Sequence, residues 1–322
     1  MIPDLASVAA QQGGCFTRTQ ALDLGATERG LKTALGPRGP WVPVRRGVYA
    51  ERHHWDAADE AGHHVMRVWA AHLTSWRDDP FSHTSAAAVH GLDCRPHWRE
   101  LLHLSHPDVR GGRTEGGVKH HPAHVPEHQL ETVGGLLVTR LARTAVDVAR
   151  EHGTEDGVLA CDQVLRRGVP RSELSGVLEQ MRSWPHVTHA RAAVDLADAG
   201  AANIAESLTR LLVIELGHGR PQTQVLVEDG GRRAYVDLLL RGHAFEFDGH
   251  VKFIGRERGG FADDLERALW EEKQREDWLR SLGFGISRVI WADLFGVRRR
   301  HTLRRLDREF RATQARLGHR VA

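Results

Sequence analysis

Lysine is nearly absent from this 322-residue chain: of its 44 basic residues only Lys32, Lys119, Lys252 and Lys273 are lysines, and arginine carries the rest of the positive charge. Cysteine is scarce too. Cys15, Cys94 and Cys161 are odd in number and far apart, with no C-x-x-C spacing, which argues against a disulfide framework and a zinc ribbon and predicts reduced, buried thiols. Aromatic residues make up only 6% of the chain, yet 41% hydrophobic content is ordinary, so a packed protein is expected rather than a disordered one. No run approaches the roughly 18 apolar residues that a membrane span needs. The opening MIPDLASVAA also lacks the basic region of a signal peptide. A soluble, cytoplasmic protein with no membrane partner is expected. No internal repeat or low-complexity tract is present, and the formal charge of +2 neither demands nor excludes nucleic acid.

What is present begins with a helical N-terminus. DLASVAAQQGG ends on glycines that stop helices, and Thr17-Arg18-Thr19-Gln20 has the capping-box spacing at the start of a second helix. Thr27 caps a third, TERGLKTAL, which carries Arg29 and Lys32 on its exposed side. WVPVRRGVYA then supplies a hairpin with Arg45 and Arg46 at its tip. Three helices followed by a basic wing form a DNA-binding layout in which the third helix enters the major groove. A small helical domain for protein contacts has the same pattern.

Farther along, SAAAVHGL and RTAVDVAREHG read as amphipathic helices flanking short strands such as LLHLS and LLVTR. Ser85, His83 and His90 lack a G-x-S-x-G context and crowd onto one helix, which favours structural roles over a hydrolase. Histidine is abundant at 22, and His120, His124 and His128 recur every four residues. Pro122 and Pro126 nevertheless forbid a regular helix there, and no carboxylate or cysteine completes a metal set.

The last third runs helix, strand, hairpin, Gly-rich loop, long helix, strand, helix, a mixed α/β pattern with a small sheet. Its hairpin, YVDLLLRGHAFEF, is read with a type II′ turn having Gly242 at the first central position. That register pairs Leu240 with Phe245 and sets Asp237 opposite Asp248. Val236, Leu238, Leu240, Phe245 and Phe247 then share one face, and Tyr235, Asp237, Leu239, Glu246 and Asp248 the other. Carboxylates facing each other across strands destabilise a sheet by up to about 1 kcal/mol, so a positive partner is expected. A divalent metal with oxygen ligands fits, as does a lysine.

Two family resemblances join these segments. FTRTQALDLGATERGLKTAL followed by GPWVPVRRGVYA resembles the N-terminal winged helix of AbiEi-type antitoxins of type IV toxin-antitoxin systems, and FSHTSAAAVHGLD, LLHLSHP and VTRLARTAVDVARE extend the likeness more weakly. Roughly residues 203 to 295 resemble the PD-(D/E)xK nuclease fold, in the branch related to very-short-patch repair endonucleases. There Glu206 matches the glutamate of the opening helix, Asp237 the metal-binding aspartate, and Glu246, Asp248 and Gly249 the E-x-D-G phrase. Lys252 occupies the place of a following basic residue, and Glu272, Lys273, Arg275, Glu276 and Asp277 match the acidic and basic phrase of a later helix. The chain departs from the motif where a lysine should stand two residues after its acidic partner, because Asp248 is there.

The expectation is therefore an α+β protein: a winged helix-turn-helix over 1–55, a middle α/β and helical region over 56–195, and a PD-(D/E)xK-like domain with a small mixed sheet over 196–322. The resemblance implies a metal-dependent DNA endonuclease with Glu206, Asp237, Glu246, Lys252 and Lys273 as catalytic residues. Asp237, Glu246 and Asp248 would hold Mg²⁺ or Mn²⁺, Lys273 or Arg275 would hold the phosphate, and Arg29, Lys32, Arg45 and Arg46 would contact duplex DNA. The alternative is a non-catalytic, antitoxin-like transcriptional regulator with a cognate toxin as partner; charge also leaves an RNA-processing nuclease open.

Overall fold

The computed structural model describes residues 3–108, 111–248 and 262–318. The fold is α+β, and the chain divides into two compact units, 1–164 with 169–195, and 165–168 with 196–322. The first 55 residues share one unit with the segment that follows. Cys15, Val42, Val48 and Ala50 pack into the same core as Met66, Val68, Trp69, Leu104 and Val138. A segment this short buries too little surface alone, and the shared core supplies the remainder.

That first unit opens with α1 (Pro3–Gln11), β1 (Cys15–Thr17), α2 (Arg18–Asp23), α3 (Glu28–Ala34), β2 (Trp41–Arg45) and β3 (Val48–Glu51). The strands form a sheet in the order β1-β3-β2. Sequence periodicity missed β1, because three residues are too few to show alternation. Both caps form as read. Thr17 Oγ1 accepts from Gln20 N while Gln20 Oε1 accepts from Thr17 N, and Thr27 Oγ1 accepts from Gly30 N. Leu5, Phe16, Leu31 and Trp41 fill the small core beneath, with Phe16 edge-on to Trp41 at 4.9 Å.

The unit continues through α4 (Arg52–Ala57), α5 (Glu60–Thr74), α6 (His83–Val89), β4 (Leu102–His106), β5 (Arg113–Glu115), β6 (Val118–Pro122), β7 (Leu130–Val133), β8 (Leu136–Thr139), α7 (Leu141–His152), α8 (Thr154–Arg166), α9 (Arg171–Gln180) and α10 (Val187–Leu196). β4 and β6 run parallel, and β5 pairs antiparallel with β6. Ser85 and His90 have structural partners: Ser85 Oγ accepts from His103 N, and a ring nitrogen of His90 lies 2.8 Å from Thr139 O. Cys15 and Cys161 are buried and Cys94 half-buried, all unpaired, and burial pushes the Cys15 thiol up to about 12.

The second unit contains α11 (Ile204–Glu215), β9 (Gln222–Asp229), β10 (Arg232–Leu240), β11 (His243–Phe247), α12 (Ala262–Ser281), β12 (Gly285–Val289) and α13 (Gly296–Gly318). The sheet order is β12-β11-β10-β9, with β11 and β12 parallel and the other pairs antiparallel. The hairpin register differs from the sequence reading by two residues. Leu240 pairs with His243 and Leu238 with Phe245, so Arg241 and Gly242 are the central turn residues, at φ +48° and +75°. Two positive φ values make a type I′ turn, whose twist matches the strands. Gln314 Nε2 of α13 donates to Arg241 O and holds the arginine in that conformation. A two-residue shift preserves the faces but changes the partners: continuing the register sets Asp237 opposite Glu246 instead of Asp248.

Behind the hairpin, His243 is buried with one ring nitrogen 2.8 Å from Thr313 Oγ1 and the other 2.8 Å from Ser287 Oγ. Burial holds its pKa down to about 4. The unfolded imidazole, which titrates near its ordinary value of about 6.5, binds more protons than the folded one between the two values, so stability is lost as pH falls through that window. Acidification from pH 7 to 5 should cost this unit about 2 kcal/mol through His243. Denaturant titrations of the parent and His243→Gln at both pH values check this; equal pH dependence in the two would exclude the assignment.

Candidate functional site

The acidic face of the second unit is assembled from a helix start, the hairpin and a neighbouring helix. Asn203 caps α11 by accepting from Glu206 N at 3.0 Å, and the Glu206 carboxylate accepts from Asn203 Nδ2 at 2.8 Å and Ala202 N at 2.7 Å. This reciprocal arrangement fixes Glu206 at the end of the helix. Gln224 Nε2 donates to the same carboxylate at 3.2 Å. Gln224 lies opposite Asp237, between the Val225–Val236 and Thr223–Leu238 pairs, and its φ of +47° is a conformation that a non-glycine residue rarely takes. Such strain persists only where surrounding contacts hold it, and it concentrates at functional positions.

Asp237 and Glu246 lie together at the centre. Asp237 Oδ2 accepts from Phe247 N at 3.0 Å. Burial raises its pKa, the Phe247 amide opposes that rise, and the nearby Glu206 charge adds to it. Glu246 is 6% exposed; its Oε2 receives Arg275 Nη2 at 2.6 Å, while its Oε1 is buried without a hydrogen-bond partner among the described residues. Burial raises the Glu246 pKa as well, with Arg275 pulling it down and Asp237 and Glu272 pushing it up. Two desolvated carboxylates thus sit against each other with one cation between them and α12.

Arg275 is the main electrostatic tie. Besides Glu246 it donates to both oxygens of Glu272, at 3.0 and 2.9 Å, and to Tyr235 O at 3.1 Å. Burial opposes its charge, but Glu272 and Glu246 outweigh burial and raise its pKa. Arg288, paired with Glu246 in the β11–β12 register, reaches Glu272 at 2.5 Å and Glu276 at 2.9 Å, and lies 3.7 Å from Asp248.

The structure therefore brings Glu206, Asp237 and Glu246 into one electrostatic cluster and sets Asp248 beside Arg288. Lys273 is exposed on α12, and the basic residue of that helix that reaches the carboxylates is Arg275. Lys252 and Gly249 lie outside the described residues. Sequence reasoning missed Gln224 and gave Arg288 no role at the site. The alternating pattern of β9 gave no sign of the first, and the second becomes relevant only through parallel pairing of β11 with β12. Among the described residues, the His, Cys, Asp and Glu groups whose donors come within 4.8 Å of one another in threes all belong to the N-terminal unit. The acidic face nevertheless fits a divalent cation in its chemistry: carboxylate oxygens are the ligands such ions take, and the unpartnered Glu246 Oε1 beside Asp237 is a donor without a use.

In the N-terminal unit, Arg29 and Lys32 are exposed on α3, and Arg46 is exposed in the β2–β3 turn, where Gly47 at φ +78° completes the bend. Arg45 is half-buried, with Nη1 3.5 Å from Gly116 O. It borders a cavity of about 380 Å³ that Arg67 and Arg99 also line. The Nε atoms of Arg67 and Arg99 are buried without partners. The basic surface at the wing is thus deeper than its sequence suggests, because Arg67 and Arg99 arrive from remote segments.

No described family model matches the chain. Two proteins of Mycobacterium tuberculosis are similar to it: Uncharacterized protein Rv2248 of strain ATCC 25618 / H37Rv and Uncharacterized protein MT2308 of strain CDC 1551 / Oshkosh. Each is 30% identical over 202 residues, covering 60% of this chain and 70% of its relative. At that identity over most of their length, this chain belongs to the same family as these two mycobacterial proteins.

Proposed function

We propose that this protein binds duplex DNA through its winged helix and hydrolyses phosphodiester bonds at the acidic face of its second unit. The supporting observation is the buried, unpartnered Glu246 Oε1 beside Asp237, with Glu206 near enough to raise the Asp237 pKa. Asp237 and Glu246 would hold Mg²⁺ or Mn²⁺, with Asp248 at the margin. When bound, such an ion acts as a Lewis acid on a phosphoryl oxygen and acidifies water. The chain's own residues do the rest. Glu206, fixed by Asn203, keeps negative charge at the edge of the site, and Gln224 bridges Glu206 toward Asp237. Arg275 balances Glu246 and would be able to meet a phosphate if that carboxylate engaged a cation.

A second reading draws on the same arginine. Arg275 seated on Glu246 satisfies part of the acidic face without metal, as expected of a nuclease fold retained in a non-catalytic, antitoxin-like regulator. Both readings share the DNA-binding step. Full-length protein should bind duplex DNA with an affinity that falls steeply with salt, because Arg29, Lys32, Arg45 and Arg46 would chiefly meet phosphates. Each such contact contributes about 0.9 to the slope of log affinity against log salt. Replacing Arg45 and Arg46 by Ala should lower the slope by nearly twice that amount. An affinity independent of salt, or a slope unchanged in the double variant, would remove the wing from the interface.

A further inference from the structure

Three imidazoles meet inside the N-terminal unit, remote in sequence from the wing. His83 opens α6, His103 lies in β4 and His121 in β6; His103 and Ser105 pair with Lys119 and His121 across the parallel strands. His83 and His103 are 3% and 2% exposed, and His121 is half-buried. The His83 and His121 rings stack with centroids 3.7 Å apart, and His103 Nδ1 is 2.9 Å from His121 Nε2. One ring nitrogen of each residue lies within 4.8 Å of the other two.

This arrangement is costly without a ligand. Polar rings taken from water need partners, and here they chiefly meet each other. Burial, reinforced by the neighbouring imidazoles, pushes the His83 pKa well down, and burial lowers His121 to about 4. His83 also sits at φ +50°, a strained conformation for a residue with a side chain. Ser82 Oγ is 2.8 Å from His83 Nδ1 and accepts from Ser105 Oγ at 2.7 Å, which fixes the His83 ring. Just beyond, the rings of His103 and His152 are 6.2 Å apart, and His152 Nε2 is buried without a partner.

We propose that His83, His103 and His121 form a binding site for a divalent transition-metal ion of the zinc class. Neutral imidazoles are suitable ligands for Zn²⁺, Co²⁺ or Ni²⁺ and poor ones for Mg²⁺. Tetrahedral zinc with Zn–N bonds of about 2.0–2.1 Å sets its nitrogens ~3.3 Å apart, so nitrogens lying within 4.8 Å of one another need close by at most about 1.5 Å. With His83 held by Ser82, rotation of the half-buried His121 ring would provide that movement. The Ser82 contact at Nδ1 leaves His83 Nε2 as the donor, and Ser82 then orients the ligand from the outer shell. His121 is half-buried, so a water could reach the ion from its side as the fourth ligand. Asp147 Oδ1 lies 4.0 Å from His83 Nε2 and accepts from Arg150 Nη1, while Arg143 Nε donates to Asp147 Oδ2.

The test uses full-length protein stripped with EDTA and titrated with Co²⁺ and with Zn²⁺. One equivalent of Co²⁺ should give visible d–d bands of the intensity expected for four-coordination, Zn²⁺ should displace it, and Mg²⁺ should have no effect. His103→Gln and, as a milder change at a half-buried position, His121→Asn should each abolish the bands. His97→Gln should retain them, although His97 belongs to a second cluster with His152 and Asp156, and so should His53→Gln, from a third with Glu51 and His54. Absence of bands in the parent, or bands that survive His121→Asn and vanish in His97→Gln or His53→Gln, would overturn the proposal. DNA binding and cleavage play no part in the readout, so the proposal stands or falls apart from the proposed function.

Discussion

Arg275→Ala should destabilise the C-terminal unit by about 3 kcal/mol at pH 7, because it leaves a buried carboxylate without its counter-charge. Glu246 is nearly inaccessible and its Oε1 already has no partner, so removing Arg275 strands both oxygens. The lower end of the range for broken buried pairs applies, since the Arg275 side chain is 28% exposed and water can enter when it is cut away. The sign of the pH dependence follows. Burial already raises the Glu246 pKa, and loss of Arg275 removes what pulls it down. A carboxyl whose folded pKa lies above its unfolded value loses stability as pH rises through the folded value, so the deficit of Arg275→Ala should shrink toward pH 5. Adding Glu246→Gln to the same chain should recover most of the loss. Denaturant titration of the three proteins at pH 7 and 5 measures this; a cost below about 1 kcal/mol would mean that the pair behaves as a solvated one.

Asp237→Asn should act in the opposite direction on the fold and abolish cation dependence. Burial and the Glu206 charge both disfavour the Asp237 carboxylate, whereas an asparagine carbonyl can still accept from Phe247 N. Removing one of two facing carboxylates should stabilise the cation-free protein by a few tenths to about 1 kcal/mol. The parent should melt higher as Mn²⁺ is added in excess of EDTA, by the mass action of a ligand that binds only the folded state. The variant should not respond. If the carboxylate serves only as an acceptor for structure, the variant should instead lose about 1–3 kcal/mol and the parent should ignore Mn²⁺.

Much of the acidic face can be read from sequence, since alternation in YVDLLL and HAFEF fixes which side chains share a side. The partners across the strands cannot. The choice between turns with one or two positive φ values depended on Arg241 accepting a left-handed conformation, and its support comes from Gln314, far along the chain. The expected counter-charge was a metal or a lysine, and among the described residues two arginines also approach, Arg275 from α12 and Arg288 through parallel pairing with β11. Local capping was legible at Thr17 and Thr27 because a cap depends on residues three apart. The imidazole cluster was hidden for the opposite reason. His120, His124 and His128 have a conspicuous spacing, yet the residue that joins His83 and His103 is His121, and only the β4–β6 pairing selects it.

Cleavage itself tests the central claim most directly. Supercoiled duplex DNA incubated with the full-length protein in Mn²⁺, with Asp237→Asn in Mn²⁺, and with the parent in EDTA should be nicked only in the first case. DNA bound by the parent and left intact in Mn²⁺, or nicked equally by Asp237→Asn, would contradict a metal-dependent nuclease at Asp237 and Glu246.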